Sequence, residues 1–348
     1  MNSLSSLSET TNNNFQLIRL LAALGVFVSH TFPLGGFGLG GKAQLLGHLS
    51  LNTFFLISGF LVCKSFMARP LKAYFVSRIL RIFPALILVV LVSVFILGLS
   101  VTELTVLEYL TNPDIYEYTI KNTLLLLPDA PLSLPGVFLE SKYASTVNAP
   151  LWSLPYELTC YLLLAIFAVV TRAKHSTKAL TVISVLLFVL CFSVYMANSI
   201  TKSVEFAVYF GKDTYRLLGM FFLGVSFYLL GSKVPVSHKL MCGFILLVGL
   251  SVLYRPTFIV LFYLFLAYAT FYFSYAIKGP LLRFNALGDY SYGIYIIGYP
   301  VQQTIEQLFP DLSLPLYFVI TLAITFVLAI FSWHWIEKRA LSLKAKHV

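Results

Sequence analysis

The chain has 348 residues, of which 59% are hydrophobic and only 11% charged, with a mean hydropathy of +0.86, whereas a soluble domain carries about 25% charged residues. A water-soluble fold is excluded. The net charge of +10 is spread over short loops rather than gathered on one basic face, which argues against a nucleic-acid partner and for membrane topology.

Apolar runs long enough to cross a ~30 Å hydrocarbon core follow one another along the chain. They are apolar all round, unlike the alternating ~10-residue strands of a barrel. The expected fold is therefore all-α, a polytopic helical bundle of about ten transmembrane helices. Residues 1–14 are polar and lack the basic start of a secretory signal, so the first apolar run is expected to be a retained helix. Spans are predicted at 15–33, 47–67, 79–100, 150–171, 179–198, 213–231, 238–254, 256–276, 288–308 and 315–336. Within them Cys63, Cys160, Cys191 and Cys242 stand alone, read as small core hydrophobes, and imply neither disulfide nor metal site.

Span one carries Arg19 and His30 in RLLAALGVFVSH. Eleven residues at 100° each bring the two side chains onto one face, ~16 Å apart along the axis. A lipid-facing intramembrane arginine costs at least ~2.5–3.5 kcal/mol on insertion scales. The pair therefore suits a path entering near Arg19 and ending near His30, although a snorkelling arginine and a carbonyl-bonded histidine remain open. FFLISGFL at 54–61 offers Ser58 and Gly59 for close helix packing. At the start of span three, Arg78 and Arg81 stand three apart and fan from one helix face, which suits phosphate or simple positive-inside anchoring.

The connection from Val101 to Ala149 is unusually long and carries Glu103, Glu108, Asp114, Glu117, Asp129 and Glu140 against Lys121 and Lys142. Connections of this length are usually functional or disordered, and the apolar 124–128 stretch suggests a short segment dipping back toward the bilayer. Glu157 follows in APLWSLPYELTCY and needs a partner. That partner is either His30, whose tautomer and basicity it would set, or Arg216 in a purely structural pair. Asp213 and Arg255 lie near span ends and read as ordinary, as do Trp152, Trp333 and Trp335.

The basic loops set orientation. Sixteen of the 24 Lys and Arg follow even-numbered spans or close the chain, among them Arg283 and Lys346; six, including Lys202, lie on the other side. Both termini are expected to be cytoplasmic, with 101–149 facing outward. This gives a polar cytoplasmic N-terminus at 1–14, a membrane domain at 15–337 and a basic cytoplasmic tail at 338–348.

Taken together, these residues resemble acyltransferase family 3, polytopic membrane enzymes that O-acylate bacterial surface glycans. The resemblance runs from Phe15 to Glu337 and rests on five elements in order: Arg19 with His30, FFLISGFL, Arg78 with Arg81, LWSLPYE ending at Glu157, and LGDYSYGIYIIGYPVQQ from Leu287 to Gln303. It implies an inner-membrane enzyme that takes an acyl group, typically acetyl, from cytoplasmic acyl-coenzyme A and passes it to a hydroxyl of a glycan or lipid-linked glycan such as O-antigen, capsule or exopolysaccharide. No bound cofactor is implied. Arg78 and Arg81 would hold donor phosphates, Arg19 would line the donor path, and His30 would act at the transfer centre with Glu157, as general base or through an acyl-histidine. Some relatives have a histidine where this chain has Gly298, so that position is expected to contribute nothing here. Some also carry a C-terminal SGNH-type hydrolase-like domain; the sequence ends soon after Glu337, so the acceptor is expected to be served by the membrane domain or a separate partner. The pattern leaves oligomeric state open, a homo-oligomer included. The competing expectation is a transporter or flippase for a lipid-linked sugar or small metabolite, with Arg19, His30 and Glu157 as its path.

Overall fold

The computed structural model describes residues 3–346 apart from 11, 39, 127–128, 202–210, 280–281, 283–284 and 286. Arg283 and Lys202 of the charge argument, and positions 127–128 of the apolar loop segment, lie outside the described residues. Among those described there is no strand, only helices with two isolated bridges, as lipid demands of a backbone that must bond to itself. The helices are α1 (Leu4–Ser8), α2 (Phe15–Leu34), α3 (Gly40–Ala68), α4 (Leu71–Val92), α5 (Val106–Thr111), α6 (Pro113–Leu124), α7 (Leu154–Val170), α8 (Lys178–Thr201), α9 (Lys212–Leu229), α10 (His238–Ser251), α11 (Arg255–Ala276), α12 (Ser291–Leu308) and α13 (Leu314–Ser332). Two π-helical turns, Ser93–Gly98 and Trp333–Glu337, prolong α4 and α13.

Every predicted span is met by a helix, yet seven among the described residues are long and apolar enough to cross a membrane. The other three are α9, α10 and α12. Helix α10 has 14 residues, ~21 Å at 1.5 Å per residue, short of the ~30 Å core. Helix α9 carries Lys212, Asp213 and Arg216, and α12 carries Gln302, Gln303 and Glu306 beside three tyrosines.

The helices fall into two compact units, with α2, α3 and α7 each contributing to both. The first comprises residues 1–19, 51–69 and 159–288. Its tightest contact is glycine-made: a Cβ on Gly59 of α3 would lie 2.0 Å from the Phe221 carbonyl oxygen, and one on Gly224 of α9 would lie 2.1 Å from that of Leu56. The two backbones touch as small-residue interfaces in membranes allow. Around this contact the Phe60 and Phe271 rings pack tilted with centroids 4.7 Å apart, and Phe15 meets Tyr275 edge-on. The polar N-terminus is built into the unit: Leu4 is buried, and Asn14 bonds through its backbone N–H to Ser274 and through Nδ2 to Ile277.

The second unit comprises residues 20–50, 70–158 and 289–348. Its long connection is partly helical, because Thr105 and Glu108 form a capping box at the start of α5, and Asn112 caps α6 with Pro113 at its first position. Of the apolar stretch expected at 124–128, Leu124 ends α6 and Leu125 turns the chain out through a left-handed conformation (φ 53°). Tyr109 of α5 donates to the Val94 carbonyl in the π-turn of α4, where Gly98 leaves room for its ring. Burial there pushes the Tyr109 phenol up to about 12. Cys63, Cys160 and Cys191 are buried as expected; Cys242 is exposed, on the outward face of the short α10.

Candidate active site

His30, Arg78, Arg81 and Glu157 belong to the second unit, and Arg19 belongs to the first, at the end of its 1–19 segment. Helix α2 runs unbroken from Phe15 to Leu34, so Arg19 and His30 do share a face, separated by three turns. Both are half-buried. They are not in contact; any role they share runs along the helix.

Helix α12 fixes the surroundings of His30. A Cβ on Gly298 would sit 2.8 Å from Phe27 Cδ2, so glycine is what lets α12 reach α2 at this level. Gln302 then donates from Nε2 to the Phe27 carbonyl at 3.1 Å and to Thr31 Oγ1 at 2.8 Å, stapling α12 to the turns of α2 on either side of His30. The staple brings the Tyr299 ring edge-on to the imidazole, with centroids 5.1 Å apart. Among the described residues the imidazole makes no hydrogen bond.

The end of the long connection is laid along α12. Pro300 has no N–H for the carbonyl of Ile296, one turn before it, and Asn148 supplies the missing donor from Nδ2 at 2.8 Å. Gln303 donates to the carbonyls of Tyr143 and Thr146, both at 2.8 Å. Lys142 donates to the carbonyls of Pro310 at 2.6 Å and Gly35 at 3.3 Å and lies 3.8 Å from the buried Glu306. Tyr295 donates to the Pro150 carbonyl at 2.9 Å and stands 2.6 Å from Ser153 Oγ. One turn beyond Ser153, Glu157 occupies the first turn of α7, where free helix N–H groups favour a carboxylate. It lies close enough to Tyr295 to act on it electrostatically. Tyr295, within electrostatic reach of Glu157, and Tyr299, against His30, are one turn apart on α12.

Arg78 and Arg81 lie on successive turns of α4, but their settings differ. Arg81 donates from Nη2 to Asp289 Oδ2 at 2.7 Å and from Nη1 to Glu337 Oε2 at 3.2 Å, and its guanidinium lies 5.6 Å from the Tyr292 ring centroid and 6.0 Å from that of Trp333. Glu337 Oε1 accepts from Ser332 at 3.0 Å, and Ser291 donates to Asp289 Oδ1. Arg81 therefore ties α4 to the start of α12 and the π-turn after α13. Arg78 bonds Ser77 Oγ from Nε at 3.2 Å.

Sequence reasoning missed Asp289, Glu337, Asn148 and the α12 tyrosines. Tyr292, Tyr295 and Tyr299 with Gln302 and Gln303 recur at three- and four-residue spacing, a polar stripe that could have pointed to them. Asp213 was read as ordinary. It is the partner of the fully buried Arg216, accepting at Oδ1 from Nε at 3.0 Å and Nη2 at 2.8 Å, while Asn52 accepts from Nη1. An arginine buried that deeply requires such a carboxylate.

A bundle of membrane-length helices, with an intramembrane imidazole packed against α12, defines a polytopic membrane protein. A family model described as an acyltransferase domain matches residues 12–334, and the chain belongs to that family. It is a membrane acyltransferase. It is similar to an O-acetyl transferase of Shigella phage Sf6, 27% identical over 351 residues covering 95% of this chain and 96% of the relative. It is also similar to nodulation protein 10 of Rhizobium leguminosarum bv. viciae, 36% identical over 186 residues, 49% of this chain and 48% of that protein. No solved structure matches.

Proposed function

We propose that this acyltransferase carries an acetyl group from acyl-coenzyme A on the cytoplasmic side of the bacterial inner membrane to a hydroxyl of a surface glycan or its lipid-linked precursor on the outer side. The observation that carries the reading is His30: an intramembrane imidazole held by α12 with its nitrogens uncommitted. The phage relative's name supports acetyl as the group and oxygen as the acceptor atom. In this reading both termini are cytoplasmic, and the 142–153 strap lies at the acceptor side.

The neutral imidazole takes the proton of the acceptor hydroxyl as its oxygen attacks the thioester carbon. A carbon–oxygen bond forms, and the carbonyl electron pair moves onto oxygen. Collapse breaks the carbon–sulfur bond, and the imidazolium returns the proton to the departing sulfur. The Glu157 carboxylate favours the transient positive charge on His30. Arg78 and Arg81 would meet the donor phosphates at the cytoplasmic end, Arg81 while held by Asp289 and Glu337, and Arg19 would serve the donor along α2. Mass spectrometry of surface polysaccharide from cells with and without the gene tests donor group and acceptor together: loss of one acetyl per repeat supports the reading, and an unchanged mass refutes it.

A further inference from the structure

We infer that Tyr299 is a second catalytic side chain, its phenol O–H donating to the carbonyl oxygen of the transferring acyl group as negative charge develops there. The inference rests on the reading of His30 just given and adds to it a group for the opposite charge.

The first observation is an orphan. Tyr299 is 3% exposed, and its hydroxyl makes no hydrogen bond; the Thr146 side chain approaches without completing one. A buried hydroxyl left unpaired is unfavourable and rare in a well-packed interior. Tyr292 and Tyr295 on the same stripe are both satisfied, donating to the Ile82 and Pro150 carbonyls at 2.8 Å and 2.9 Å. The exception sits beside the imidazole.

The second observation is the company it keeps. Within one turn of Tyr299 on α12, Gln302 Oε1 and Gln303 Oε1 are also buried without a partner, as is Oδ1 of Asn148, which bonds the same helix. In each of these amides the nitrogen is committed to holding a backbone carbonyl or Thr31, which leaves the oxygen available. Uncommitted polar atoms gathered in one turn, next to an imidazole without a bond, mark the place of a polar guest. For a phenol the matching guest atom is an oxygen that gains charge.

The third observation is geometric. Edge-on rings with centroids 5.1 Å apart let one bound group touch both the imidazole and the phenol, the arrangement a transfer site needs: a base for the attacking hydroxyl and a donor for the oxyanion. Rotation of the Tyr299 ring is restrained by its burial and by its edge-on packing against the imidazole. The donor is in place before the charge appears. As the acceptor oxygen adds to the carbonyl carbon, the carbonyl electron pair moves to oxygen and is held by the phenol proton, which stays on Tyr299; when the carbon–sulfur bond breaks, that pair returns to form the ester carbonyl.

The test is Tyr299→Phe, which keeps the ring against His30 and deletes only the hydroxyl. With purified protein in nanodiscs, kcat should fall about 100- to 1,000-fold, as for loss of one oxyanion donor, while KM for acetyl-coenzyme A stays within threefold. Melting temperature should hold or rise, because no native bond is lost. Activity within threefold of wild type overturns the inference, as does a raised KM at unchanged kcat. A lower melting temperature with activity falling in proportion also overturns it, since the hydroxyl would then be a structural bond. His30→Ala, assayed alongside, separates the two readings: if it stays active the proposed function fails, and if it alone is inactive only the role of Tyr299 fails.

Discussion

Glu337→Gln probes whether Arg81 is held in place or merely nearby. Glu337 uses both oxygens, Oε1 accepting from Ser332 at 3.0 Å and Oε2 from Arg81 at 3.2 Å, with its side chain 1% exposed. Glutamine has one oxygen. Whichever way the amide turns, either Ser332 or Arg81 loses its acceptor, and in one orientation the amide N–H faces the guanidinium. Loss of a charge-assisted bond of this kind is worth about 1.5–3 kcal/mol. Arg81 retains Asp289 at 2.7 Å, which keeps the cost below the ~3–5 kcal/mol of stranding a buried charge altogether. The assay is thermal unfolding in detergent together with donor KM, run as a cycle with Arg81→Ala. A coupling energy of about 1–3 kcal/mol between the two positions is expected, with a lower melting temperature and weaker donor binding in Glu337→Gln. Additive effects, or a variant that melts and binds like wild type, would refute the claim that the Glu337 contact orients Arg81.

Other substitutions follow from single contacts. Gly59→Ala places a Cβ 2.0 Å from a backbone oxygen that has no rotamer to yield, so it should cost upwards of ~3 kcal/mol and reduce the folded fraction on size-exclusion chromatography; wild-type yield would show that α3 and α9 part freely. Asn148→Ala leaves the Ile296 carbonyl buried and unpaired, a loss of about 1–3 kcal/mol read as a lower melting temperature. In the capping box the Thr105 hydroxyl and N–H hold the Glu108 carboxyl below its ordinary value. A depressed carboxylate stabilises above the unfolded-state pKa near ~4.3 and loses that contribution as pH falls through the folded value. Protection of the Glu108 amide, corrected for the intrinsic exchange rate, should therefore fall on acidification below about pH 4 and not in Thr105→Ala, whose amide is poorly protected already.

What could be read from sequence depended on how far the deciding contact lies along the chain. The shared face of Arg19 and His30 is a property of one helix, and composition alone demands a bundle. The span at 238–254 was overdrawn because Val252, Leu253 and Tyr254 are apolar, while the helix ends at Ser251 and leaves those three exposed. Hydropathy cannot see a backbone turn. The Thr105-x-x-Glu108 capping box and the Asn112-Pro113 start that make part of the 101–149 connection helical are local signals that the hydropathy reading passed over. The partners of Arg81 lie 208 and 256 residues away, so no spacing rule reaches them, and Arg78 and Arg81 looked alike until those carboxylates were placed. Tyr299 lies within the LGDYSYGIYIIGYPVQQ segment. Only the packing of α12 on α2 through Gly298 turns it from one aromatic among many into a neighbour of His30.

Acyl transfer by purified protein reconstituted in liposomes, with isotopically labelled acetyl-coenzyme A supplied on one side and a de-acetylated lipid-linked glycan in the bilayer, tests the central claim most directly. The account predicts label on the glycan with wild-type protein and less than about one per cent of that rate with His30→Ala, a loss consistent with removing a general base worth ~10²–10⁴-fold. Equal labelling by the two proteins would contradict it.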